Sequence, residues 1–595
     1  MNVYAHTTNG QEHEWEPLES HLRAVAEGAA EFATAFGGME VARVAGWWHD
    51  LGKYSPKFQN YLRESHGGRA VRGSVKHAIA GAVHASGRFN GNLGLSLEFI
   101  IAGHHAGLAD HESESDSSLK RRVANEKAES ARAIGAAPAS ILSLTRPELP
   151  AWVGKGAEKN PLQVSLFIRM LFSCLVDADR LATEQFADPA RVVLRKSSTP
   201  SIPMLRSALD AHIDRLTASK REQSGVVNTQ RAALLAACRD AAALPPGLFS
   251  LTAPTGSGKT LSSMAFALRH AEKHGLRRVI YALPFTSVTE QNAEVFRAAF
   301  AASGDRAVLE HHSAYRPSSQ DEGHPTEVWR RLAVENWDAP VVVTTNVQLL
   351  ESLFSANPSD CRKLHRIAKS VIVLDEAQSL PVKLLKPTLA ALDELARSYG
   401  TTVVLCSATM PAVTAREGFE IGLRGVREIV PEPEAMSRAM RRADVERVGT
   451  LADEELAERI AAEPGVLTIV NTRGHAARLY ELVRTRATCV LHLSALMCPA
   501  HRSIRVAQIK RLLADGKECR VVSTQVVEAG VDIDFPVVFR AMAGLDSIVQ
   551  AAGRCNREGG LARGRVVVFD TDEKPPPDIG RAAGCLLYTS PSPRD

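Results

Sequence analysis

The run GLFSLT, APTGSGKT, LSSMAFALRHAE at residues 247–272 limits most tightly what this chain can fold into. A short apolar stretch leads into a glycine-punctuated loop, and apolar residues at helical spacing follow: strand, tight turn, helix. Gly256 and Gly258 let backbone amides approach an anion, with Thr255 and Ser257 completing the loop. Lys259 reaches β- and γ-phosphate oxygens, Thr260 offers a hydroxyl to Mg²⁺, and the helix start adds a favourable dipole. The first glycine of the common pattern is Ala253 here, so the bare pattern fails by one residue and needs support from elsewhere.

That support lies downstream. Short β-branched runs (RVIYALP, PVVVTTN, SVIVLDEA, TTVVLCSAT) alternate with helical stretches to about residue 430. A second series follows: GVLTIVNTR, CVLHLSA, CRVVSTQ, FPVVFRA and GRVVVFD. Each series predicts a parallel α/β domain. Within VIVLDEAQ, Asp375 and Glu376 end a buried-strand run, where one carboxylate can hold Mg²⁺ through water and the other can orient an attacking water. In QAAGRCNR, Arg554 and Arg557 stand three apart on a predicted helix and share a face, suited to reach a γ-phosphate across a domain boundary.

This set, residues 226–560, resembles superfamily 2 helicases. The resemblance implies ATP with Mg²⁺, an adenine-reading role for Gln230, and a role for Asp532 in coupling ATP state to strand grip. ALPFTSVTEQ, VTTNVQLLESL, IVNTRGHA and STQVVEAGVDID resemble strand-tracking motifs, so Thr286, Thr344, Thr472 and Thr524 are expected on backbone phosphates. DEAQ departs from the commoner DEAD or DEAH, which puts domain coupling, not hydrolysis, in question.

Residues 1–190 read as mainly helical and carry a second chemistry. GWWHDLGKYS places His49 and Asp50 at the end of an apolar helical run, EFIIAGHHAG ends on His104 and His105, His77 opens a helix-like stretch, and Asp179 lies near the end of LFSCLVDADRL. Several helix ends can aim ligands at one point. Imidazoles with a shared carboxylate suit transition metals (Mn, Co, Ni or Fe) better than Mg²⁺ or Ca²⁺. The set suffices for two ions bridged by Asp50, about 3.5–4 Å apart. Lys53, one helical turn from His49, is a candidate to neutralise a scissile phosphate. This pattern resembles HD-family phosphohydrolases. WEPLESHLRAVAE resembles that family's opening helix and adds His21, and the family's final aspartate aligns with Asp179 better than with Asp177. His6, His13 and His84 read as solvent-facing or packing histidines.

The fold expected is an all-α HD domain (1–195), a linker (196–225), two RecA-like α/β domains (226–432 and 433–575) and an atypical tail (576–595). RAAGCLLYTSPSPRD breaks the pattern and reads as a disordered or foreign ending, with an accessory C-terminal domain missing. A net charge of +4 permits nucleic-acid binding without demanding it, so any phosphate-binding surface is local. The nine cysteines are scattered, no signal segment opens the chain, and no apolar run is expected to span a bilayer, which places the protein in the cytoplasm.

An HD phosphohydrolase followed by a superfamily 2 helicase closely resembles the helicase–nuclease of type I CRISPR systems over residues 15–575, with the opening and DADRLATE most like the type I-C branch. The residues alone reach an ATP-dependent motor with a metal phosphohydrolase. The resemblance implies the rest: single-stranded and R-loop DNA as substrate, recruitment by the RNA-guided Cascade complex, 3′ to 5′ translocation, progressive degradation, and a monomer when free. The alternative is a helicase whose HD domain hydrolyses nucleotides for regulation.

Overall fold

The structure is a computed structural model describing residues 2–66, 75–154, 160–196, 198–219, 225–313, 315, 324–408, 413–528 and 531–589. Its N-terminal part is helical. In α1 (Leu18–Ala33) Leu18, Leu22, Val25, Ala29 and Ala33 recur on one buried face while Glu19, Arg23 and Glu27 face outward. His21 sits on that buried face. Around α1 stand α2 (Met39–Trp48), α3 (Ile79–Arg88), α4 (Asn92–Gly103) and the long α5 (Pro161–Ala187). Asn160 caps α5 by accepting from the Gln163 amide at 3.3 Å, with Pro161 in the first turn. A small antiparallel ribbon, β1 (Tyr4–His6) against β2 (Glu16–Pro17), lies ahead of α1 and was not legible at this length in the sequence.

Helix α5 corrects one expectation. It is long and apolar enough to cross a membrane, yet 67% of its apolar window is buried inside the protein. It is a core helix: its apolar residues pack on α1 and on the first α/β domain, in one continuous cluster that joins Leu22, Phe167 and Leu175 to Ile280, Leu392 and Tyr399.

Strands β3 (Leu248–Thr252), β4 (Arg278–Leu283), β5 (Val308–His311), β6 (Val341–Thr345), β7 (Ser370–Leu374), β8 (Thr402–Ser407) and β9 (Arg427–Glu428) form a parallel sheet in the order β5-β6-β4-β7-β8-β3-β9. β4 and β7 are buried along their whole lengths, as parallel strands covered on both faces must be. The second sheet comprises β10 (Ala443–Thr450), β11 (Gly465–Ile469), β12 (Val490–Leu493), β13 (Cys519–Ser523), β14 (Val537–Ala541) and β15 (Gly564–Asp570), ordered β10-β15-β14-β11-β13-β12 and parallel. β10 is an edge strand with mostly exposed side chains, which is why no apolar run announced it.

Two segments differ from expectation. The span expected as a linker contains the helix Ile202–Ser219, whose Leu205 and Leu209 are buried in the core of the first α/β domain. In the expected tail, Pro577–Thr589 form a helix; residues 590–595 lie outside the described residues.

Candidate functional site

Two glycines set the N-terminal site. A Cβ on Gly46 would stand 2.4 Å from the Ala26 Cα, so α1 and α2 cross closely enough to bring His21 to His49. A Cβ on Gly52 would stand 2.1 Å from the His77 carbonyl oxygen, so the turn after Asp50 lies directly against the strap carrying His77. Neither approach tolerates a side chain.

Asp50 is the hub, with its carboxylate buried. Its Oδ2 faces His49 Nε2 at 3.3 Å and His21 Nε2 at 3.8 Å; its Oδ1 faces His104 Nε2 at 3.6 Å and His77 Nε2 at 3.7 Å. Asp179 Oδ1 closes the first side, 3.4 Å from His21 Nε2 and 3.7 Å from His49 Nε2. His105 closes the second, its Nε2 3.0 Å from His77 Nε2. Backbone carbonyls hold the far ring nitrogens of two ligands: His49 Nδ1 pairs with Gly46 O at 2.7 Å and His104 Nδ1 with Ile101 O at 2.6 Å. Both rings therefore present Nε2 inward. The structure brings together all seven residues expected as ligands, with ligating atoms in overlapping groups within 4.8 Å.

These atoms fit metal ions. Nε2 of His21, His49 and His104 and Oδ1 of Asp50 are buried without any hydrogen-bond partner, a costly state unless a cation fills the gap. The electrostatics agree. Burial opposes charging His49, yet Asp50 and Asp179 lift it to about 10, whereas burial and His104 push His105 down to about 3. Despite burial, Lys53 and His49 hold Asp50, and His21 and His49 hold Asp179, well below the usual carboxylate range. The two carboxylates therefore stay ionised and draw positive charge to the centre of the site.

Three sequence expectations change here. Lys53 is buried, pairs with Asp50 Oδ2 at 2.8 Å and donates to Ala5 O at 3.3 Å, so it fixes the hub and is not presented to a phosphate. His6 is not a bystander: its ring is 5.0 Å from that of His21 and its Nε2 3.9 Å from Glu16 Oε2. Glu16, missed altogether, lies 3.4 Å from His21 Nδ1, on the side of the ring away from the hub. A carboxylate five residues before a helical histidine carries no sequence signal; only the β1–β2 ribbon puts it there. His13 is exposed, and His84 packs edge-on against Trp48 at 4.5 Å, both as expected.

Asp177 and Asp179 divide two tasks. Positions two apart on a helix point to nearly opposite sides. Asp179 enters the histidine cluster, while the fully buried Asp177 accepts from Arg362 Nε at 2.7 Å and Asn336 Nδ2 at 3.1 Å in the first α/β domain. The ligand-bearing helix is thereby docked on the motor.

The second site lies at the C-terminal ends of β3 and β7, where open α/β sheets bind ligands. Gly256 (φ 78°) and Gly258 (φ 84°) adopt the left-handed conformation that the loop requires. Lys259 Nζ is buried with no partner, aimed at the place phosphates take. A cavity of about 910 Å³ reaches from Thr255 and Lys259 to Asp375 and Glu376 and across to Asp532, Arg554 and Arg557 in the second domain; Gly256, Gly258 and Thr260 line it as well. The residues thus fit a nucleotide triphosphate with Mg²⁺ between two domains. Burial and the Glu376 carboxylate raise Asp375 to about 6, against the pull of Lys259. Glu376 holds a left-handed backbone (φ 50°), strain of a kind that clusters at functional sites. In the departure DEAQ, Gln378 donates to Glu376 at 2.7 Å and accepts from Ser407 on β8 at 2.7 Å, so the fourth residue still links the carboxylate to a neighbouring strand.

Not every motor expectation is met in place. Gln230 does not line the cavity; Asn228 and Arg231 on the same helix, Val226–Ala241, do. The helix before the arginines ends at Ala552, so Arg554 and Arg557 project from a turn, Arg554 gripping Val527 O and Glu528 O and Arg557 Nε 2.9 Å from Asp532. Thr344 is fully buried and donates to His311 O at 2.8 Å, and Thr524 is buried too, so neither faces a strand in this structure. Thr286 lies half-buried at a helix N-terminus, suited to an anion, whereas Thr472 caps its helix by accepting from His475 N at 3.1 Å and donates to the Glu573 carboxylate. Thr409–Pro411 of LCSATMP, Ala529-Gly530 of STQVVEAGVDID and Ser257's expected place in the cavity give no further support: the first two fall outside the described residues, and Ser257 is buried off the cavity.

Fold and sites together define a metal-dependent HD phosphohydrolase joined to a two-domain, ATP-hydrolysing helicase. Family models agree along the chain: Cas3, HD domain over residues 5–185; DEAD/DEAH box helicase over 228–417; and CRISPR-associated nuclease/helicase Cas3, C-terminal, over 463–560. The chain belongs to the Cas3 family of CRISPR-associated nuclease/helicases. It is 26% identical to the CRISPR-associated nuclease/helicase Cas3 of Haloferax volcanii, over 94% of this chain and 76% of that protein. Its fold is similar to that of T. fusca Cas3 with ATP (TM-score 0.63, 19% identity, 98% of this chain and 77% of that one). A chain of a CRISPR RNA-guided surveillance complex, pre-nicking, is similar as well (TM-score 0.60, 19% identity, 99% and 77% coverage).

Proposed function

We propose that this protein cuts single-stranded DNA at the histidine cluster and draws that strand in with its ATP-driven motor, on R-loop DNA opened by an RNA-guided complex of the Cascade type. The observation that carries the nuclease reading is Asp50, whose two oxygens face two separate histidine groups. His21, His49 and Asp179 gather on the Oδ2 side and His77, His104 and His105 on the Oδ1 side, in groups that overlap through His49, His104 and Asp179. Two divalent transition ions there supply Lewis acidity and charge neutralisation for phosphodiester hydrolysis. The chain's own contribution is orientation. Backbone carbonyls fix the His49 and His104 rings, and Lys53 fixes Asp50 through Oδ2.

At the motor, Lys259 and the loop amides hold the triphosphate, Asp375 holds Mg²⁺, Glu376 orients the attacking water, and Arg554 and Arg557 meet the γ-phosphate when the domains close. Thr286 contacts a strand phosphate without reading sequence, and Thr472 joins it once Glu573 gives way. The Cascade-type partner and 3′ to 5′ translocation rest on the family resemblance and on the similarity to a chain of a surveillance complex.

The test is cutting of circular single-stranded DNA across Mn²⁺, Co²⁺, Ni²⁺, Fe²⁺ and Mg²⁺, with and without ATP, beside a panel of free nucleotides. Cutting with transition metals and no ATP, and duplex degradation only with ATP, is expected. Cutting with Mg²⁺ alone, or hydrolysis of nucleotides in place of DNA, overturns the reading.

A further inference from the structure

The outer side of the phosphate loop is held by two arginines that no motif assigns. Arg442 stands at the junction of the two motor domains. Its carbonyl is anchored to the second domain, accepting from Gly564 N at 2.8 Å and Asn556 Nδ2 at 3.1 Å. Its guanidinium crosses the cleft, donating to Thr255 O in the loop at 2.6 Å and to Arg557 O beyond it. Arg231, on the helix Val226–Ala241, mirrors this arrangement. Its Nε donates to Gly256 O at 2.9 Å, and its terminal nitrogen meets the Glu558 carboxylate at 3.2 Å. The successive loop carbonyls of Thr255 and Gly256 are thus linked, through Arg442 and Arg231, to the successive residues Arg557 and Glu558 of the arginine-bearing segment. The loop amides face the phosphates, so these carbonyls are the backbone handles left on its far side.

We propose that Arg231 and Arg442 are positioning residues for ATP hydrolysis: they tie the phosphate loop to the Arg557–Glu558 segment, so that loop and arginine finger reach the γ-phosphate in fixed relation when the domains close. Arg442 does not line the nucleotide cavity, and the guanidinium of Arg231, which does, is engaged by Gly256 O and the Glu558 carboxylate. Their effect falls on the closed, reacting state, so it appears in kcat and not in ATP affinity. Because both act through one closure, their losses do not add. The inference rests on the motor reading above.

The test uses the full chain with single-stranded DNA and compares Arg442→Ala, Arg231→Ala, the double variant, Arg442→Lys and Lys259→Ala. Each alanine variant at the two arginines is expected to lose about tenfold in DNA-stimulated ATPase kcat, with the KM for ATP moving less than about threefold. The double variant falls little further. Arg442→Lys restores only part, since one ammonium cannot span both carbonyls as a planar fork does. Metal-dependent nicking without ATP stays at the parent level, which shows that the fold is intact. A raised KM with unchanged kcat, or parent kcat in both single variants while Lys259→Ala is inactive, overturns this inference alone. Parent ATPase in Lys259→Ala overturns the motor reading itself.

Discussion

Replacing Asp375 by asparagine is expected to stabilise the nucleotide-free protein while abolishing its motor. The carboxylate is buried at the end of β7 beside Glu376, and its pKa stands at about 6 against an ordinary 3.8. A raised acid holds its proton more tightly in the folded state than in the unfolded one. Its stabilising contribution is therefore complete below pH 3.8 and is lost as pH rises to about 6. Above that, ionising it inside the fold costs about 3 kcal/mol, at about 1.36 kcal/mol per pH unit. Asparagine has nothing to ionise and keeps an acceptor for the Glu376 amide, now 3.0 Å from Asp375 Oδ1. The assay is denaturation of both proteins with chelator and without nucleotide, from pH 4 to 7.5. The Asp375→Asn variant gains stability relative to the parent across pH 4–6 and holds a lead of up to about 3 kcal/mol at pH 7.5, while Mg²⁺-ATP stabilises the parent far more than the variant. A variant less stable at pH 7.5, or a difference that does not change with pH, refutes the reasoning.

His49→Ala and Asp50→Asn each remove a central ligand, so metal-dependent nicking falls to background while DNA-stimulated ATPase stays near the parent value; retained nicking rejects the cluster. Glu16→Ala frees the back of His21 and is expected to weaken transition-metal binding about 10–100-fold, read by titrating metal into apo-protein. Asp177→Ala leaves the buried Arg362 with only the part-exposed Glu335 opposite it and costs about 3 kcal/mol, read as a lower melting temperature of the helical and first α/β domains together. Gly52→Val drives a side chain into the His77 carbonyl; thermal stability and metal affinity fall together, where a surface glycine would leave both unchanged.

Much of the motor was legible because its chemistry is local. A phosphate loop needs its glycines, lysine and threonine within a few residues, and the strand runs around it are buried on both faces and so uniformly apolar. The seven residues proposed as metal ligands were legible as residue types at helix ends, supported by the family pattern, and the structure gathers them. The misses share one cause. Lys53, Glu16, His6 and Thr344 each have contacts set by what lies across space from them, and nothing in their neighbours along the chain encodes it.

The sequence by itself therefore determined the helical first part, the two α/β series and most of the side chains that carry the chemistry, since periodicity and motif spacing act over one or two turns. Only the tertiary structure decided that Asp177 turns to the motor while Asp179 turns to the histidines, that Lys53 serves Asp50, and that two arginines strap the phosphate loop to the opposite domain. Those outcomes depend on which helices approach closely enough to exclude water, and that is a property of the packed chain as a whole.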